Sequence, residues 1–346
     1  MNRSFNLSRG ANGESVLAGR LRDDYRFHIM TSLNYCSTHY GLFTLRDHGT
    51  RINGIRNYYS TNFGFAYLGD ALDLCRKLPK SSVNLILTSP PFPLVKKKEY
   101  GNEDPDKYVD WFKRFVPEFR RVLKRNGSLV LHIGGNWNRG SPTKSLCIYE
   151  LLLELSKTFH LAQDFYWYNP AKLPSPSEWV SVRRIRVKDA VDTIWWLSKV
   201  AYPKASNRRV LTPYKPGMVK LFQNGYKPGA RPSGYNITKK FKRQNGGAIP
   251  PNMLMFSNTN SNDRYLTGCR DAKVEPHPAR YPIGIPDFFI RFLTTRGDVV
   301  LDPFGGSNTT GFAAEELGRR WLAFELRENY LEGSKLRFES LLDERR

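Results

Sequence analysis

The stretch Leu301-Asp302-Pro303-Phe304-Gly305-Gly306-Ser307-Asn308-Thr309-Thr310-Gly311 decides how this chain is read. Asp298–Leu301 reads as a strand feeding a glycine-rich turn, and Ser307–Leu317 reads as the helix that the turn opens. Glycines let backbone approach a ligand closely, and a helix N-terminus favours negative charge. The next strand, Trp321–Phe324, ends at Glu325, 19 positions after Gly306. An acid at such a strand end can accept hydrogen bonds from a ribose diol. The turn lacks the G-x-G-x-x-G spacing, which weakens a dinucleotide site. A tight strand–helix turn with no ligand is the plainer alternative.

Far upstream, Val83–Thr88 (VNLILT) is a near-continuous apolar run of the kind buried on both faces of a parallel sheet. It stops at Ser89-Pro90-Pro91-Phe92, whose double proline ends the strand and stiffens the loop. In open α/β sheets, ligands sit beyond the carboxyl ends of strands. A hydroxyl, a rigid turn with exposed carbonyls and an aromatic face suit a planar base with an exocyclic amine. Taken alone, a proline-rich loop with a packed Phe explains the tetrapeptide equally well.

Around these two motifs, strands alternate with helices. Phe65–Leu68, Ser128–Ile133, Asp164–Tyr168 and Asp192–Ser198 read as strands, and Ala71–Leu78, Lys144–Phe159 and Pro286–Leu293 as helices. Helical spacing over Tyr108–Lys124 predicts one long helix stopped by Asn126-Gly127. From Tyr202 to Cys269 the richness in Pro, Gly, Asn and Ser predicts loops and short strands. The alternation indicates an α/β fold with a largely parallel sheet. Residues 1–60 show no clear period, and Met30 offers a second start because the patterned sequence begins later.

The 346 residues suffice for one large domain, or a core with a smaller appendage. With 40% hydrophobic and 13% aromatic residues a substantial core can form, which excludes global disorder. No apolar run approaches the ~20 residues that span a bilayer, and the N-terminus lacks a secretory pattern. The formal charge is +22. Residues 171–270 hold 19 Lys and Arg against 4 acids, a net +15, and residues 193–262 contain no acid at all. Such a segment is the electrostatic footprint of a nucleic-acid partner. Cys36, Cys75, Cys147 and Cys269 form no disulfide framework and read as ordinary, mostly buried thiols; Cys36 and His39 have no second pair to complete a zinc site.

Together the two motifs resemble the signature pair of the DNA amino-methyltransferases that use S-adenosylmethionine. The D-P-F-x-G-S-x-T-T pattern is that family's cofactor loop, and S-P-P-F matches its catalytic loop in the form typical of N(4)-methylcytosine enzymes. The catalytic loop comes first and the basic segment lies between, the order of the circularly permuted β group. Within that group the chain is similar to the PvuII-type cytosine enzymes. The resemblance runs from about residue 65 to residue 335, through TSPPF (88–92), KKEYGN (97–102), YVDWF (108–112), DFYWYNPAKLPSP (164–176), RIRVKDAV (184–191), RPSG (231–234), NGGAIPPN (245–252), HPAR (277–280) and FGGSNTTG (304–311).

The resemblance implies a Rossmann-like methyltransferase with a mostly parallel seven-stranded sheet and a smaller basic recognition region. Its divisions would be an N-terminal extension of open role (1–60), a catalytic part (61–200), a target-recognition region (201–275) and a cofactor-binding part (276–346). Catalytic residues would be Ser89, Pro90, Pro91 and Phe92. Asp302, Phe304, Gly305, Gly306, Ser307, Asn308 and Thr309 would line the cofactor pocket, Glu325 would hold the ribose, and Asp70 would sit near the adenine. Asp70 also suits an N-cap for the helix beginning at Ala71. No metal is needed, because the sulfonium already carries its leaving group. The chain contains no Pro-Cys pair, which argues against carbon-5 methylation through a cysteine nucleophile.

Candidate DNA contacts are Arg183, Arg184, Arg186, Lys188, Arg231, Ser233, Lys239 and Lys240, although the first four, alternating with apolar residues, could instead be one solvated strand face. Lys96, Lys97 and Lys98 follow the catalytic loop and suit the backbone near a flipped base, and Lys242 and Arg243 suit phosphates. At His132-Ile133-Gly134-Gly135 the PvuII-type pattern has an acid in place of His132. A neutral imidazole could replace that acid, but a strand-end histidine with structural hydrogen bonds is the preferred reading. The implied target is CAGCTG, methylated at its inner cytosine. The implied setting is the bacterial cytoplasm and nucleoid, with a cognate restriction endonuclease as functional partner without stable complex and no membrane. Two alternatives remain: an N(6)-adenine methyltransferase on the same scaffold, and a DNA-binding module with an inactive site.

Overall fold

The computed structural model describes residues 51–94, 98–99, 101–225, 229–230, 232–234, 236–237, 243–258 and 263–343. Strands β1 (Tyr59–Ser60), β2 (Gly64–Leu68), β3 (Val83–Thr88), β4 (Leu123–Ile133), β5 (His160–Tyr168), β6 (Val191–Ser198), β9 (Met253–Met255), β10 (Val299–Asp302) and β11 (Arg320–Glu325) make one sheet, in the order β1-β2-β11-β10-β3-β4-β6-β5-β9. The run β2-β11-β10-β3-β4 is parallel, and β6 is antiparallel to both β4 and β5. The seven strands from β2 to β5 match the expected count. Two short edge strands, β1 and β9, extend the sheet to nine. A separate two-stranded ribbon pairs β7 (Gly229–Ala230) with β8 (Asn236–Ile237).

Side-chain alternation along the central strands supplies both faces of the sheet. Val299, Leu301, Leu322 and Phe324 face one core, and Val300, Trp321 and Ala323 face the other. The first core is closed by α1 (Ala71–Lys77), α2 (Pro105–Lys113), α3 (Val116–Val122) and α4 (Cys147–Ser156). The second is closed by α7 (Gly284–Leu293), α8 (Thr309–Glu316) and α9 (Glu328–Asp343). The result is a three-layer α/β/α sandwich, as expected when helices must cover both faces of a mostly parallel sheet. Every residue of β3 is buried, Asn84 and Thr88 included, as its near-continuous apolar run predicts.

The single helix expected over Tyr108–Lys124 is two helices, α2 and α3, separated at Arg114 and Phe115. Pro117 is the cause. It offers no N–H, and its ring would clash with the carbonyl four residues back, at Lys113, the last residue of α2. The chain turns at Val122, so Asn126-Gly127 stops no helix; it lies within β4, where the register against β3 shifts between Val83 and Leu85. The region from Tyr202 to Cys269 holds the short strands β7 to β9 as expected, together with α5 (Pro216–Asn224) and the start of α6 (Arg264–Asp271). Residues 51–60 also join the fold. Ile52 is buried with its amide on the Tyr67 hydroxyl, and Tyr59 packs against Trp321 and Phe338.

Among the described residues, Cys75, Cys147 and Cys269 are buried free thiols, and no cluster of three or more potential metal ligands occurs. None of the described helices is long and apolar enough to cross a membrane.

Candidate active site

Strands β3 and β10 are parallel neighbours, so their carboxyl ends, which carry the two motifs, open on the same side of the sheet. The motifs are tied directly. Thr88 Oγ1, one residue before Ser89, donates to Asp302 Oδ1 at 2.7 Å. The same oxygen accepts the Phe304 amide at 3.1 Å, and Asp302 Oδ2 accepts the Thr310 hydroxyl at 2.7 Å. The Tyr281 hydroxyl lies 3.5 Å from Oδ2 and also bonds the Thr310 hydroxyl. Asp302 is 3% exposed, and burial pushes its carboxyl above the usual range against the pull of these donors. Its carboxylate thus holds the β10 turn, the first turn of α8 and the end of β3 together.

The glycine-rich turn follows. Gly305 donates its amide to the Phe324 carbonyl at 2.7 Å, and Gly306 donates to Glu325 Oε2 at 2.8 Å. Asn308 caps α8 from the left-handed region (φ 50°): its side-chain oxygen accepts the Gly311 amide at 3.0 Å and its amide group donates to the Tyr59 hydroxyl at 2.9 Å. A Cβ on Gly311 would lie 2.2 Å from that capping oxygen, so the position requires glycine. Ser307 and Thr309 are buried with their hydroxyls 3.1 Å apart. The Phe304 ring rests on Trp111 and Phe115. His277 packs on Tyr330 beside the turn, and burial pushes its imidazole down to about 4, so it is neutral.

Glu325 ends β11, and Asp70 lies just beyond the end of the adjacent strand β2. Glu325 Oε1 accepts the Arg327 amide at 2.9 Å, so backbone donors hold both of its oxygens. Burial raises its carboxyl above the usual range. Asp70 is the N-cap of α1, accepting Leu72 and Asp73 amides at 2.9 and 3.2 Å. Both go to Oδ1, which leaves Oδ2 directed elsewhere. These acceptors fit S-adenosylmethionine: two carboxylates at the carboxyl ends of neighbouring strands can take its hydroxyl and amine hydrogens.

On the β3 side, Ser89 Oγ lies 3.0 Å from His132 Nδ1, and His132 Nε2 lies 3.7 Å from Asp192 Oδ2. The latter is an ion-pair distance; among the described residues Nε2 has no hydrogen-bond partner although it is buried. Lys172 Nζ is also 3.7 Å from Asp192 Oδ2. Burial works against the charge of Asp192, but His132 and Lys172 outweigh it and hold this carboxyl below the usual range. The Phe92 ring lies edge-on to His132 and so close over Gly134 that a Cβ there would meet it at 2.5 Å. Pro90 is buried and Pro91 half-buried.

The basic residues divide. Arg183 pairs with Glu178 at 2.8 Å and lies over the Trp179 ring; Arg186 lies over Trp137 and donates to the Pro142 carbonyl; Lys188 donates to the Lys172 carbonyl at 3.0 Å. Arg184 is exposed at φ 55°. These residues follow a single π-helical turn (Glu178–Val182) and form no strand face: Val182, Ile185 and Val187 are exposed alongside them. Ser233 is exposed in a turn. Arg231, Lys239 and Lys240 lie outside the described residues, as do Lys96, Lys97, Lys242, Cys36 and His39. Sequence reasoning passed over Thr88, Tyr281 and Thr310 as partners of Asp302, and Asp192 and Lys172 beside His132. Several stand in or next to the quoted stretches, but their pairing depends on strand order.

The DNA methylase family profile matches residues 83–336. The Type II methyltransferase M.PvuII of Proteus hauseri is 47% identical over 290 residues, covering 82% of this chain and 86% of that protein. The DNA adenine methyltransferase YhdJ of Escherichia coli K12 is 27% identical over 270 residues, covering 76% of this chain and 78% of that protein. Among solved structures, PvuII DNA methyltransferase (cytosine-N4-specific) superimposes with a TM-score of 0.68 at 41% identity, covering 84% of this chain and 94% of that one.

Proposed function

Because the chain belongs to the DNA methylase family, we propose that it methylates the exocyclic amine of cytosine in duplex DNA, with S-adenosylmethionine as methyl donor. The observation that carries this reading is the Thr88–Asp302 hydrogen bond, which fixes the Ser-Pro-Pro-Phe loop beside the glycine-rich turn at one end of the sheet. The 47% identity to M.PvuII and the likeness to the cytosine-N4-specific structure favour cytosine over adenine.

When bound, S-adenosylmethionine supplies a methyl group activated by its sulfonium. Glu325 and Asp70 accept its hydroxyl and amine hydrogens, and the turn from Phe304 to Thr309 encloses it. The cytosine must leave the helix to reach the site. Ser89 Oγ and the Pro90 carbonyl accept hydrogen bonds from its amine, localising a lone pair that the ring otherwise withdraws. Phe92 stacks on the base, and positioning supplies much of the remaining rate. Residues 201–275, with Arg231, Ser233, Lys239 and Lys240, form the target-recognition region, and Arg183, Arg184, Arg186 and Lys188 flank it. The target is CAGCTG, and the enzyme protects that sequence from an endonuclease of the same specificity.

A plasmid carrying CAGCTG sites tests this. Wild-type protein should make the sites resistant to an endonuclease that cuts them, and Ser89→Ala should reduce methyl incorporation by about 100-fold or more while keeping DNA affinity. Full incorporation by Ser89→Ala removes Ser89 from the site; methyl incorporation with undiminished cutting removes CAGCTG as the target.

A further inference from the structure

Ser89 is the group that would face the amine, yet a serine hydroxyl alone is a poor final resting place for a proton. Behind it stand a buried imidazole and a half-buried carboxylate: Ser89 Oγ lies 3.0 Å from His132 Nδ1, and His132 Nε2 lies at an ion-pair distance of 3.7 Å from Asp192 Oδ2. His132 is 4% exposed, enclosed by the rings of Phe92, Trp167 and Tyr281. Asp192 can only accept, and its charge 3.7 Å from Nε2 favours the ring hydrogen there, which leaves Nδ1 as an acceptor for the Ser89 hydroxyl.

We propose that Ser89, His132 and Asp192 form a proton relay that removes the proton released when the bound amine is methylated. This rests on the reading of Ser89 as the amine-facing residue. The amine's lone pair forms the new N–C bond, and the electrons of the broken C–S bond stay on sulfur. The nitrogen then carries a positive charge and one surplus proton. Ser89 Oγ accepts that proton as its own hydrogen passes to His132 Nδ1. The resulting imidazolium is opposed by Asp192, and the relay resets when His132 yields its proton to water. His132 touches no substrate and acts through Ser89. Lys172 pairs with Asp192 from the loop after β5. Tyr281 faces the ring from the segment before α7, and Asp302 lies behind it through the Tyr281 hydroxyl. Those are the charged or titratable groups around the imidazole among the described residues. Asp192 is therefore the one carboxylate placed to stabilise the imidazolium directly, and Lys172 tempers it.

Two measurements test the relay. The first is the 15N spectrum of histidine-labelled protein without cofactor or DNA. The hydrogen is expected on Nε2 of His132, with the Nδ1 resonance moving in Ser89→Ala and the Nε2 resonance in Asp192→Asn. A hydrogen on Nδ1 in the wild type overturns the proposal, and needs no variant to fold. The second is the pH profile of kcat with a duplex substrate. Wild-type kcat should fall on the acid side. His132→Gln should lose about 100-fold or more in kcat together with that acid limb, with KM for DNA nearly unchanged; an unchanged kcat and profile overturns the relay. The methylated base made by the wild type reports separately on the parent reading. N(6)-methyladenine with an acid limb that His132→Gln abolishes would sink the cytosine reading and keep the relay.

Discussion

Asn308 and Gly311 show how little freedom single residues have at the glycine-rich turn. Asn308 adopts a left-handed conformation so that its side chain can cap α8 on the Gly311 amide, and the space a Cβ would need at Gly311 is taken by the capping oxygen. Gly311→Ala should therefore break the cap, cost about 1–2 kcal/mol of stability and weaken S-adenosylmethionine binding. Thermal unfolding and calorimetric titration would read both; wild-type values in each would show that the turn has slack. At this scale the sequence was informative about residue types but not about partners. Asp70 offered a helix cap or a cofactor contact, and its cap is present. Asp302 read as a pocket residue, but its carboxylate is largely spent on Thr88, Thr310 and the Phe304 amide. Thr310 and Phe304 stand in the same glycine-rich stretch, but Thr88 lies 214 positions upstream, and no local pattern announces it. His132 was legible as a departure from the PvuII-type acid, while its contact with Ser89 required β3 and β4 to be neighbours.

Elements were legible wherever apolar periodicity was unbroken, as in β3, β10 and β11. They were misread where one proline outweighed the pattern, as Pro117 does between α2 and α3. Other ties between elements are ionic. Lys204, after β6, bonds Asp298 Oδ2 at 2.5 Å at the entrance to β10, and the Thr295 amide donates to the same oxygen at 2.8 Å. Burial opposes the charge of Asp298, but Lys204 and Thr295 prevail and hold its carboxyl below the usual range. A depressed carboxyl stabilises the fold above its unfolded pKa and loses that contribution as pH falls through the folded value. Asp298→Asn should thus cost about 1–2 kcal/mol near neutrality, and the difference from wild type should vanish in acid below the ordinary Asp range. Urea unfolding across that range would show it; a constant difference at all pH values would exclude the charge as its source.

At the scale of the whole molecule, charge is segregated. A net +15 lies in residues 171–270 of a chain that carries +22 in total. That asymmetry was plain in the sequence, whereas which cations are committed to the protein itself was not: Arg183 and Arg186 hold local partners, and Arg184 projects without an ion pair among the described residues. If this region contacts phosphates, log affinity for duplex DNA should fall linearly with log salt, and Arg184→Glu should flatten the slope by about 1. An unchanged slope would place Arg184 away from the backbone. The circular order of the motifs was also readable, because catalytic loop, basic segment and cofactor loop follow one another along the chain; the hydrogen bond that closes them on each other was not. The central claim, that the joined motifs methylate the amine of cytosine, is tested most directly by nucleoside mass spectrometry of duplex DNA incubated with the protein and S-adenosylmethionine. N(4)-methylcytosine formed by the wild type and absent with Ser89→Ala is the predicted result; N(6)-methyladenine, or no methylated base from protein that still binds the DNA and the cofactor, would contradict it.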